Sequence, residues 1–112
     1  MEQLFFLVQG SSDAPYQVTF NRQGESISAQ CSCPAGLNRQ LCKHRMSILS
    51  GSSERVVSDN PQDVITVASW LPGSDIEKVW VEVQRLESEL NHIKSSLTAA
   101  KKRLCQSMHE LS

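Results

Sequence analysis

Three thiols and an imidazole fall within fourteen residues of this 112-residue chain: Cys31, Cys33, Cys42 and His44. Together they make a complete donor set for one zinc ion, because structural zinc takes four soft or borderline ligands in a tetrahedron and Cys₃His is a standard combination. The ligands come as two pairs, Cys31-x-Cys33 and Cys42-x-His44, separated by residues 34–41. Side chains at i and i+2 share a face only in a strand. Ile27, Ala29, Cys31 and Cys33 alternate with Ser28, Gln30 and Ser32, so both sulfurs are expected on one side of a strand that Pro34 ends. Cys42 and His44 cannot both lie well inside a helix and still face one ion. They fit a turn entering a helix through Met46, Ile48 and Leu49, with Gly51 just past its end.

The elements that position these ligands follow from the apolar pattern. Leu4-Phe5-Phe6-Leu7-Val8 reads as a buried strand, Gly10 to Pro15 as a loop, and Tyr16 to Phe20 as a half-buried strand of period two. Asn21-Arg22-Gln23-Gly24 reads as the turn of a hairpin whose second strand runs from Glu25 to Cys33. So little apolar surface makes metal ligation a large part of this half's folding free energy.

The pattern C-x-C, a gap, then C-x-H entering a helix resembles the SWIM-type zinc finger, including the details Cys33-Pro34-Ala35 and Leu41-Cys42-Lys43-His44. The resemblance covers about residues 16–50. It implies a ββα zinc module that binds nucleic acid or protein, and it implies no enzymatic activity. Members of that family include chromatin-remodelling ATPases and transposases, but no ATPase, transposase or kinase domain accompanies the motif here.

Beyond Gly51, residues 52–59 are small and polar and read as a linker. Asn60 and Pro61 look like the N-cap and first position of a short helix over 60–71, ending before Pro72-Gly73. Ser74-x-x-Glu77 is a capping-box pattern, after which neither proline nor glycine interrupts residues 74–112. With Ile76 at heptad position a, the a series continues through Val83, Leu90, Leu97, Leu104 and Leu111. The d series is Val79, Leu86, Ile93, Ala100 and Ser107. All but Ser107 are apolar, the signature of a coiled coil. A monomer in which this helix folds back on the helix over 60–71 would cover only about a third of the stripe, so a homo-oligomer is expected, with a dimer favoured. His92, Cys105 and His109 fall at outward heptad positions and read as incidental.

The formal charge of -1 announces no general field for a polyanion. Arg39, Lys43 and Arg45 cluster around the ligands and Arg22 joins them in the hairpin turn, making these four the candidate contacts for nucleic acid or a partner. Three thiolates on one Zn²⁺ leave a net negative charge, which the same cations would balance. Disulfides are the competing use of the cysteines. His44 at ligand spacing argues for metal, and Leu4 to Val8 is too short for a signal peptide or a bilayer span, so an intracellular, reducing location is expected.

No catalytic constellation accompanies the cluster, whose four ligands leave zinc no position for a water. The fold expected is α+β: a three-stranded antiparallel sheet with a zinc-bound finger over 1–51, then a long coiled-coil helix. The function expected is a non-enzymatic adaptor holding one structural zinc per chain. It would self-associate and bind a protein partner, a reading that also uses the hydrophobic Trp70 and Trp80, within a nucleic-acid-processing complex. The alternative is a direct DNA- or RNA-binding regulator.

Overall fold

The computed structural model describes residues 1–109 and divides into two units, Met1–Glu77 and Lys78–Ser112. In the first, strands β1 (Glu2–Val8), β2 (Tyr16–Gln23) and β3 (Ser26–Cys31) form an antiparallel sheet in the order β1-β2-β3. Then come a single helical turn α1 (Pro34–Leu37) and the helices α2 (Lys43–Leu49) and α3 (Asp63–Trp70). The chain continues into a 33-residue helix α4, Glu77–His109. The architecture is α+β, a three-stranded antiparallel sheet followed by a long carboxy-terminal helix. Among the described residues, no helix is long and apolar enough to cross a membrane.

Register explains which side chains are buried. The cross-strand rows Leu4-Phe20-Ala29 and Phe6-Val18-Cys31 share one face. Phe6, Val18 and Phe20 on that face are buried, as are Ile48 of α2 and Val64, Val67 and Trp70 of α3, and together they make up the core. Phe6 and Phe20 meet edge to face at 6.4 Å, an arrangement that adds about 0.5–1.5 kcal/mol to their burial. The opposite face carries a ladder of amides, in which Gln3 donates to Asn21 and Asn21 to Gln30. Phe5 lies on that face and is 46% exposed, so β1 is half-buried and not buried throughout. A continuous apolar run does not distinguish a strand covered on two sides from one covered on one.

Several boundaries differ from expectation, and outside the hairpin turn a long-range contact outweighs the local signal. The hairpin turn is Gly24-Glu25, flanked by the pair Gln23 and Ser26, and Gly24 has φ +61° as the first residue of a tight two-residue loop requires. Residues 52–59 are not a free linker. The Gln9 amide donates to the Arg55 carbonyl, the Val57 amide to Leu7, and the Leu7 amide to the Ser58 hydroxyl, sealing the outer edge of β1. The short helix begins at Asp63 and not at Asn60, because the Asn60 side chain is held by β1, its Nδ2 donating to the Phe5 carbonyl. The final helix begins at Glu77 and not at Ser74: Glu77 accepts from the Gly73 amide, and the buried Ser74 hydroxyl has no partner. Asp75 instead reaches β3, its amide donating to Glu25 and its carboxylate accepting from the Ile27 amide.

Candidate metal centre

Each ligand position is set by a different local device. Cys31 is the last residue of β3, opposite Val18, on the buried face shared with Ile27. The strand ends there and not at Cys33, because Ser32 begins to close the ladder with its side chain: its hydroxyl accepts from the Gln17 amide at 2.8 Å. Cys33 is the N-cap of α1, extended at φ -68° and ψ 161°, with its sulfur accepting from the Gly36 amide at 3.3 Å and Pro34 following. Cys42 is the N-cap of α2 in the same manner, accepting from the Arg45 amide at 3.5 Å. Sulfur here does the work that Ser or Asp does at most helix starts, accepting a backbone N–H that has no partner within the helix. His44 is the second residue of α2 and is buried.

The chain between the two pairs is a defined turn. Asn38 closes α1, Arg39 follows with φ 59°, and the Arg39 and Gln40 amides donate to the Gly36 and Ala35 carbonyls. This is a Schellman stop with arginine at the left-handed position where glycine is usual. Gly51 holds the equivalent position after α2, with φ 92°. Gly36 is needed for a different reason. A β-carbon there would sit 2.2 Å from the Cys31 carbonyl oxygen, so only glycine lets the two halves of the C-x-C turn close.

These devices bring the donor atoms of Cys31, Cys33, Cys42 and His44 within 4.8 Å of one another, all four residues buried. The Cys31 sulfur is 3.8 Å from His44 Nδ1, close to the edge of a tetrahedron with metal–sulfur bonds of about 2.3 Å and metal–nitrogen bonds of about 2.0 Å. All four cysteines are free thiols, Cys105 being exposed on α4 and apart from the cluster. The donor chemistry fits a bound cation: three buried sulfurs and an imidazole nitrogen face one point.

Electrostatics differ among the ligands. Burial pushes the Cys31 thiol up to about 12, which favours the protonated form until a bound cation displaces the proton to solvent. Burial also acts upward on Cys42, but hydrogen bonds and charge from Arg45 outweigh it and the thiol ends below its ordinary value. His44 is lowered by burial and then by the charges of Lys43 and Arg55, which keeps it in the neutral form a metal needs. Its ring tilts against Tyr16 at 5.1 Å between centroids, and its enclosed Nε2 has no hydrogen-bond partner.

The four basic candidates have different surroundings. Arg45 turns inward: Nε donates to the Cys42 sulfur at 3.2 Å, and the guanidinium also donates to the carbonyls of Ala29 and Gln40. Arg39 and Lys43 are exposed. Arg22 belongs to β2, paired with Ile27 beside the hairpin turn and four residues from the Val18–Cys31 pair, or about 13 Å along the strand. It bonds the Gly24 carbonyl, lies 3.7 Å from Glu2, and is 5.9 Å above the Trp70 ring. Trp70 is buried in the core and so offers no surface to a partner. Arg55 and Tyr16 flank His44 without any local signal at their positions, because the sheet edge and the cross-strand register bring them there. Gly36 was legible only as a glycine in a turn.

The apolar stripe of α4 is exposed at Val79, Leu86, Leu90, Ile93, Leu97 and Leu104, and no described residue of the helix is buried. Val83 and Ala100 are half-buried on the same stripe. Ile76 precedes the helix in the turn at Asp75, and Leu111 lies outside the described residues. No family model, curated protein or solved structure matches the chain.

Proposed function

We propose that this chain is a non-enzymatic, zinc-binding adaptor of the SWIM type. One structural zinc ion, held by Cys31, Cys33, Cys42 and His44, fixes the amino-terminal fold, and α4 joins copies of the chain. The convergence of four buried donors carries the reading. A Cys₃His set fills a tetrahedron, so the ion organises the fold and keeps no position for substrate. The exposed stripe of α4 supports self-association, since apolar residues repeating over four heptads find partners in a second helix. A protein is the preferred ligand over nucleic acid. Arg45 is committed to the metal centre and Arg22 to the far end of the hairpin, leaving Arg39 and Lys43 as the exposed cations of that group.

Two measurements test the reading. Light scattering at micromolar concentration should give at least twice the 12.5 kDa chain mass, and Leu90→Asp with Leu97→Asp should yield monomers, since each would bury an unpaired charge. A monomeric wild type contradicts self-association. Titration with DNA and RNA should then show only weak binding at physiological salt. Tight, salt-steep binding that is lost in Arg39→Gly/Lys43→Ala with zinc content unchanged would establish the direct nucleic-acid reading instead. Arg45 is left intact in that variant because its loss would disturb the metal centre, and glycine suits the backbone at position 39.

A further inference from the structure

The stripe of α4 has a preferred way of meeting its own copy. We infer that α4 pairs with a second copy of itself in antiparallel orientation, centred between Asn91 and His92, with the amino-terminal ends of the two helices at opposite ends of the pair. This rests on the self-association reading above and adds orientation and register to it.

Charge favours this orientation. In this register Glu82 faces the partner's Arg103 and Glu87 faces the partner's Lys94, each contact occurring twice by symmetry, and no like charges meet at these flanking positions. A parallel, in-register pair brings Glu82 against the partner's Glu87, which is repulsive, and has only Glu89 with the partner's Lys94 in its favour. Glu89 is already engaged within its own helix by Arg85 at 2.8 Å. Among the described residues, Glu82, Glu87, Lys94 and Arg103 form no ion pair within the chain and are available to a partner. Shifting the antiparallel register by one heptad either way shortens the overlap and sets Glu87 against the partner's Glu87, or Lys94 against the partner's Lys94.

Side-chain size favours it too. Antiparallel packing opposes an a residue with a d residue, so Val83 meets Ala100, Leu86 meets Leu97 and Leu90 meets Ile93, and each layer recurs on the other side of the centre. The small Ala100 is thereby filled by a larger neighbour. A parallel pair would stack Ala100 on itself and leave a thin layer between Leu97 and Leu104, at a cost in packing. The exposed stripe from Val79 to Leu104 spans about 38 Å at 1.5 Å per residue, long enough for a stable two-helix seam.

Cys105, exposed on α4, provides the probe. A nitroxide is placed on Cys105 of the full chain with zinc bound, so that the ligand thiols stay unlabelled, and the distance between labels is read by dipolar spectroscopy while light scattering records the mass of the same sample. In the antiparallel pair Cys105 lies level with the partner's Lys78, and the labels should be about 40 Å apart. A dimer with labels within about 25 Å is parallel and overturns the orientation while leaving self-association intact. A monomeric mass overturns both. Glu82→Arg separates the two orientations independently of the label. It should weaken the antiparallel dimer about 3- to 30-fold, with Arg103→Glu restoring it, but should tighten a parallel one by pairing with the partner's Glu87.

Discussion

Gly36 and Arg45 constrain the metal centre from opposite sides, one by what it lacks and the other by what it donates. Adding a methyl group at Gly36 places carbon 2.2 Å from a backbone oxygen, which no side-chain rotation relieves. Gly36→Ala should therefore cost about 2 kcal/mol or more and lower zinc occupancy, read by thermal melting and metal content. An unchanged melt would mean that the C-x-C turn closes differently. Arg45→Met keeps length and removes the donors to the Cys42 sulfur and two carbonyls, so zinc affinity should fall about 10- to 100-fold in competition with a chelator. The four ligands were legible in the sequence because their chemistry is rare and their spacing short. Arg45 was legible only as a cation, since its inward course depends on the turn at Arg39, and that turn has no periodic signal and no glycine at its left-handed residue.

At the scale of elements, local patterns identified strands, hairpin, ligand helix and long helix, and failed where a distant backbone competed. Ser74-x-x-Glu77 has the form of a capping box, yet Asp75 between them is held by Glu25 and Ile27 of the β2–β3 hairpin. Asp75→Ala should leave the Ile27 amide without that acceptor, cost about 1 kcal/mol, and speed hydrogen exchange at Ile27 more than at Val18. Equal exchange at both amides would remove Asp75 from any role in the sheet. Residues 55–58 sealed β1 through backbone groups, which every residue carries, so their polar composition concealed the pairing. Trp70 was legible as apolar, but whether a tryptophan faces a core or a partner depends on what lies opposite, here β2 and the Arg22 guanidinium.

For the whole molecule, the two units depend on different forces. The Met1–Glu77 unit surrounds a modest core and a cluster of buried thiols and imidazole, which without a cation holds three sulfurs together for no gain. Helix α4 contains no residue of that cluster. Chelation should thus unfold the first unit while much of the helical signal persists. The most direct test is the metal content of the full chain purified under reducing conditions, set beside Cys42→Ser. About one zinc per chain, with the variant depleted and its sheet lost, is the result expected from a structural Cys₃His site. A metal-free wild type that nonetheless shows a folded, chelator-insensitive sheet would contradict it.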